Sequence, residues 1–245
     1  MLLRDGGASH HGRVSDVTRY TLKADPHSSH SVILRWLGEG HGRRALDVGA
    51  ADGLLSRHLT AQGWRVTALE GDAAAAARGA AHCERMIVAD LDRDLPALDG
   101  PFDAIVCGDV LEHLAEPPRV LGGLARALAP RGRLVLSIPN IAHLWIRLSL
   151  LCGKFDYAER GILDRTHLRF FTARTLDELL AAAKLTVLRR TATPVPLPLL
   201  VASRWHGAWL TAVHGASALA ARTLPRLLGY QFVVLAASAG AAEDV

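Results

Sequence analysis

The sequence predicts an α/β fold, a mostly parallel sheet of seven strands with helices on both faces, and three observations predict it. From Arg43 onward, apolar strand-like runs alternate with helical patterns: RALDVG, LLSRHLTAQG, WRVTALE, DAAAAARGAA, RMIVAD, FDAIVCG, PPRVLGGLARALA and GRLVLSIP. That alternation is the rhythm of βαβ units. The first strand runs into a turn of small residues, as the ligand-binding edge of an open parallel sheet requires. The 245 residues suffice for one large domain with insertions and would leave two independent domains cramped.

Residues 1–42 read as an N-terminal arm, rich in Gly, Ser and His, that ends in a short amphipathic helix from Ser29 to Leu37. The main domain then covers 43–245. After Pro139 the alternation breaks through NIAHLWIRLSLLCGKFDYAERGILDRTHLRFF, residues 140–171, and a long interruption of this kind predicts a lid or binding insert. The pattern resumes with a helix whose start is signed by Thr175 and Glu178, spaced as a capping box ahead of LLAAA, and with the strand LTVLRRT. A second interruption, 193–229, opens with PVPLP, whose prolines exclude regular structure, and leads into two helical segments. YQFVVLAA closes the sheet. The two inserts together are expected to form a substrate cap.

Composition narrows the class. Half of the residues are hydrophobic and 21% are charged, the profile of a packed globular chain. Lys and Arg outnumber Asp and Glu by 28 to 24, a net charge of +4 with no basic tail. The pairs Arg43 with Arg44 and Arg189 with Arg190 flank strands, so no nucleic-acid partner is expected. Cys83, Cys107 and Cys152 offer neither a disulfide framework nor a zinc spacing, so no metal is expected and a reducing compartment is. Without a signal-peptide stretch or a run of about 18 apolar residues, the expected location is cytoplasmic. Residues 197–221 come nearest to a membrane segment, but Arg204, His206 and His214 interrupt them and make amphipathic helices the reading. Peripheral membrane contact stays open there. So does a homodimer contact through Trp205 and Trp209, four residues apart and read as one helical face.

The strongest local signal is ALDVGAADG, residues 45–53, in which a strand carrying Asp47 turns through Gly49, Ala51 and Gly53 into a helix at Leu54. Small residues there let backbone amides approach a ligand. Alone, such a turn could serve packing only. The second strand ends at Glu70, 23 residues after Asp47, where a carboxylate can accept both ribose hydroxyls. The third ends at Asp90, and Leu91 follows as an apolar face for a base. A dinucleotide fingerprint would need glycine at 51 and 54, where Ala and Leu stand.

In this order and spacing, LDVGAADG, ALEGD, VADLD, FDAIVCGDVLEHL and LAPRGRLVLSIPN resemble the successive motifs of class I S-adenosylmethionine (SAM) dependent methyltransferases over about residues 43–140. The segment from Ser137 to Thr172 further resembles a bacterial branch acting on small molecules, lipid intermediates or glycans, distantly similar to methyltransferases of quinone precursors. The resemblance implies a Rossmann-like fold, SAM as cofactor and methyl transfer to a small-molecule or lipid-linked acceptor. It also implies Asp47, Gly49, Ala51 and Gly53 around the methionine part, Glu70 followed by Gly71 at the ribose, Asp90 and Leu91 at the adenine, and Asp109 beside the sulfonium. At 51 the family's glycine is replaced by alanine. A rival reading is a non-catalytic relative that partners another enzyme, which loss of the cofactor acids would mark; Asp47, Glu70 and Asp90 are present.

Transfer from a sulfonium needs alignment and exclusion of water more than activation, and a base helps when the acceptor is a hydroxyl. Candidate catalytic residues are His167, in the polar cluster DRTHLR, then His113 in DVLEHL, His143 after the fifth strand, and Asn140 directly following Pro139. Each has a structural rival: an ion-pair network, a helix cap, a surface position and a Pro-Asn turn, respectively. Trp145, Phe155, Tyr157, Phe170 and Phe171 give the first insert its aromatic surface.

Overall fold

The computed structural model describes residues 25–239. The start of the arm, residues 1–24, and the last six residues lie outside the described residues. Strands β1 (Arg44–Val48), β2 (Arg65–Glu70), β3 (Arg85–Val88), β4 (Phe102–Gly108), β5 (Leu128–Pro139), β6 (Leu185–Thr193) and β7 (Gln231–Ser238) form one sheet in the order β3-β2-β1-β4-β5-β7-β6. All pairings are parallel except those of β7, which runs antiparallel to β5 and β6. The order reverses between β1 and β4. Ligands of open α/β sheets bind at such a switch point, outside the carboxyl ends of the strands.

The central strands are apolar on both faces because helices cover both. One face buries Leu46, Leu69, Ile105, Leu134 and Phe232 beneath α4 (Pro117–Arg126) and α6 (Ala173–Ala182). The other buries Ala45, Val66, Val106, Val135 and Val233 beneath α1 (Ser29–Leu37) and α2 (Leu54–Ala61). Helix α1 has the bounds expected from its periodicity, and Val32, Ile33, Leu34 and Leu37 pack it onto the sheet. Helix α3 (Ala73–Gly79) is held by Asp72, whose carboxylate accepts from the amides of Ala74 and Ala75.

Two local expectations need correction. The capping box of α6 is built from Thr172 and Thr175, not Thr175 and Glu178; Glu178 lies mid-helix and pairs with Arg174 one turn earlier. The prolines of PVPLP do not exclude helix: α7 (Leu197–Leu200) starts directly after Pro196, where a missing amide hydrogen costs nothing.

The first insert holds α5 (Leu144–Leu151) and an irregular return from 152 to 172, pinned by an isolated bridge between Asn140 and Phe171. Ile146, Ile162 and Leu163 give it a small core with Phe170 and Tyr230 against it. After α7 the second insert has a turn at Ser203–Trp205, then α8 (Ala208–Thr223) and α9 (Pro225–Leu228). Trp205 therefore precedes α8 and does not share a helical face with Trp209; its carbonyl accepts from the Trp209 indole.

Candidate active site

The turn after β1 has the backbone its small residues allow. Gly49, Ala51 and Gly53 all have positive φ, at 68°, 47° and 77°. A Cβ on Gly49 would stand 2.6 Å from the Val110 side chain, and one on Gly53 would stand 2.9 Å from the Gly79 carbonyl. The turn is thus wedged between the start of the β4 loop and α3. Ala51 tolerates a left-handed conformation at a modest cost, which is why the substitution leaves the turn intact. Glu70, at the end of β2, accepts from the Ala51 amide at 2.7 Å and the Asp72 amide at 2.8 Å. Its carboxylate therefore lies against the turn, and Gly71 follows it at the exposed rim.

Asp47 is buried inside β1 and accepts from the Ser56 hydroxyl at 2.7 Å. Burial raises its pKa to about 6, the Ser56 bonds oppose the shift, and the charge of Glu70 adds to it. Asp109 has φ 56° just past β4 and accepts from the Ser137 hydroxyl at 2.7 Å and the Gln231 side-chain amide at 2.9 Å. Ser137 and Gln231 stand on neighbouring β5 and β7, two positioning residues that sequence reading passed over. Asp90 is exposed in the turn beyond β3, pairing with Arg93 and accepting from the Asp92 amide. Leu91 is buried in the main core, and its carbonyl accepts from Arg119.

Acids thus gather at the carboxyl edge of β1, β2 and β4 and repel one another: Glu70 acts on Asp47, and Asp109 acts on Glu112. A cationic ligand relieves that repulsion, and the residues fit SAM on this ground. Asp47, Gly49, Ala51 and Gly53 would hold its methionine end, Glu70 its ribose diol, and Asp109 would sit beside the sulfonium.

The four acceptor-side candidates divide. Asn140 is fully buried; its amide donates to the Gly229 carbonyl at 2.8 Å and its oxygen accepts from the Ala142 amide at 3.0 Å. Its side chain is spent on tying the two inserts together, which corrects the expectation of an acceptor contact. His143 caps α5, with Nδ1 accepting from the Trp145 amide at 3.2 Å, and it bonds the backbone at Leu228; burial lowers its pKa. It too joins the inserts.

His113 and His167, by contrast, meet edge to face with ring centres 4.8 Å apart. His167 Nδ1 donates to the Ile162 carbonyl at 3.1 Å, which leaves Nε2 as the basic nitrogen. Burial lowers its pKa, so the neutral base prevails at pH 7. His113 Nδ1 stands 3.2 Å from both the carbonyl and the hydroxyl oxygen of Thr166. Asp164, expected in the same polar cluster, accepts from Thr166.

Sequence reading also passed over Glu112. Its side chain is 1% exposed, neither oxygen has a hydrogen-bond partner, and burial with the Asp109 charge raises its pKa well above the ordinary range. The available signal was an acid in the apolar frame of DVLEHL. Ligand atoms of Glu112, His113 and His167 lie within 4.8 Å of one another, so where no metal was expected from sequence the fold gathers three side chains that could hold one.

Residues 19–190 match a family described as a methyltransferase domain. The chain belongs to this family. Its cofactor is SAM, and its sheet and helices have the class I Rossmann-like arrangement. Among curated relatives, the chain is 37% identical over 137 residues to a ubiquinone biosynthesis O-methyltransferase of Xylella fastidiosa, covering 51% of this chain and 53% of that protein. A protein of the same description from Caulobacter is 30% identical over 147 residues, covering 55% and 58%. The chain thus spans a little over half the length of these relatives in the matched region. Among solved structures it is similar to magnesium protoporphyrin IX methyltransferase of Synechocystis with bound SAH, at TM-score 0.57 and 17% identity, covering 86% and 82% of the two chains. A SAM-dependent methyltransferase of Thermotoga maritima gives TM-score 0.59 at 16% identity, covering 85% and 87%.

Proposed function

We propose that this member of the family transfers the methyl group of SAM to a hydroxyl oxygen of a small-molecule, glycan or lipid-linked acceptor, with His167 as general base. The observation that carries the reading is the 3.1 Å contact of His167 Nδ1 with the Ile162 carbonyl: a carbonyl only accepts, so the proton belongs on Nδ1 and Nε2 can take another, and burial lowers the pKa so that it is free to do so at neutral pH. When bound, SAM supplies an activated methyl group.

Asp109, held by Ser137 and Gln231, faces the donor end, and His113 packs on His167 to fix its ring. Phe155, Tyr157 and Phe170 contact one another edge to face or tilted beside His167 and give the acceptor site an apolar wall that excludes water. The similarity to ubiquinone biosynthesis O-methyltransferases supports oxygen as the acceptor atom.

The test is methyl transfer from labelled SAM to a panel of phenols, polyprenyl phenols and sugars, with His167→Gln beside the unmodified chain. The variant should keep its SAM affinity and lose turnover about 100-fold or more, the low end of general-base contributions. Full turnover in His167→Gln would refute the base, and labelling only of amines would refute oxygen.

A further inference from the structure

We propose that the outer face of the second insert docks onto an anionic lipid surface. The inference goes beyond the methyl-transfer reading and does not rest on it. Helix α8, 16 residues long, carries no Asp, Glu, Lys or Arg before Arg222. Leu210, His214, Ala218 and Ala221 form its buried stripe, toward the rest of the molecule. A surface helix normally turns charges outward from such a stripe. Here the opposite face presents Trp209, Val213, Ala216 and Leu219, with Trp209 54% and Leu219 64% exposed. The apolar surface continues at both ends, through Leu200 and Trp205 ahead of the helix and Leu224 after it.

Three further observations choose the occupant. No Asp or Glu stands between Glu178 and Glu243, whereas Arg204 and Arg226 flank the patch and are exposed. A lipid surface with negative headgroups complements this pattern, and a second copy would bring like charges together. Trp209 lies in the first turn of α8 and Trp205 in the turn ahead of it, and tryptophan, with an apolar ring and a polar N–H, suits the boundary between acyl chains and water. No helix among the described residues is long and apolar enough to cross a membrane, so α8 would lie in the plane of the surface. Asn140 and His143 bond the backbone at Gly229 and Leu228, so the docked insert is tied directly to the insert carrying His167. The insert also lies beyond residues 19–190, the part shared with the family.

The test is co-sedimentation of the full chain with vesicles of phosphatidylglycerol and phosphatidylethanolamine, and separately of phosphatidylcholine alone. The unmodified chain should bind the anionic vesicles with a blue shift of tryptophan emission. Trp205→Ala with Trp209→Ala, and Arg204→Glu with Arg226→Glu, should each weaken binding by at least about tenfold. SAM titration and thermal melting show that the variants are folded; if a variant is not, the emission shift of the unmodified chain carries the test. Absence of vesicle binding, equal binding to phosphatidylcholine, or a stable dimer in equilibrium sedimentation that the Trp pair disrupts would each overturn the proposal.

Discussion

Replacing Asn140 by alanine separates a structural tie from a catalytic contact. The side chain is fully buried, donates to the Gly229 carbonyl at 2.8 Å and accepts from the Ala142 amide at 3.0 Å. Asn140→Ala removes both bonds and leaves a carbonyl and an amide in a dry site. An orphaned buried group costs about 1–3 kcal/mol. With two of them partly relaxed, the loss should be about 3 kcal/mol. For a chain of this size each kcal/mol moves the melting midpoint by about 2–4 °C, so Tm should fall by about 6–12 °C. Scanning calorimetry reads the shift, and steady-state kinetics at a temperature well below both transitions reads the activity. Turnover should change by less than the base variant changes it. A melting curve that does not move, with turnover lost, would refute the structural assignment and return Asn140 to the acceptor.

Three other outcomes follow from the same geometry. Asp47 has its pKa raised from 3.8 to about 6 by burial, so the folded state holds its proton more tightly than the unfolded chain and stability falls as pH rises from about 4 to 6. Asp47→Asn should therefore be more stable than the unmodified chain at pH 7, by up to about 3 kcal/mol, and no different near pH 3.5; urea unfolding at the two pH values checks this. For His167, the lowered pKa places the acid limb of kcat/KM below pH 6.5, with activity lost as the pH falls through it; a midpoint above 6.5 would argue against this residue. Ser137→Ala and Gln231→Leu each take one hydrogen bond from Asp109 and should weaken SAM binding by about tenfold, read by calorimetric titration, with Tm little changed.

The edge proposed to hold the cofactor was legible in the sequence because its residues stand at strand ends that the βαβ rhythm marks. Asp47, the turn to Gly53, Glu70 and Asp109 follow the βαβ rhythm, and any fold that keeps the rhythm brings them to one edge. The side proposed for the acceptor was legible only in outline. His113 and His167 are far apart in sequence, and nothing local says that their rings meet. Asn140 and His143 looked like acceptor contacts because they follow a strand end. Their partners, Gly229 and Leu228, belong to a second insert whose path no periodicity reveals. Ser137 and Gln231 hold Asp109 from strands that become neighbours only because β7 inserts between β5 and β6. Glu112 stayed hidden for a different reason. Its charge reads as surface, and burial without a partner is a property of the packed molecule.

Calorimetric titration with SAM and its demethylated product tests most directly whether the acids at the carboxyl edge of the sheet hold the cofactor. The unmodified chain should bind both with micromolar affinity, about 8 kcal/mol at 1 μM. Glu70→Ala, which strips the turn of the carboxylate that accepts from Ala51 and Asp72, should bind at least about 100-fold more weakly while remaining folded. A folded chain that binds neither ligand, or a Glu70→Ala variant that binds both as well as the unmodified chain, would contradict that assignment.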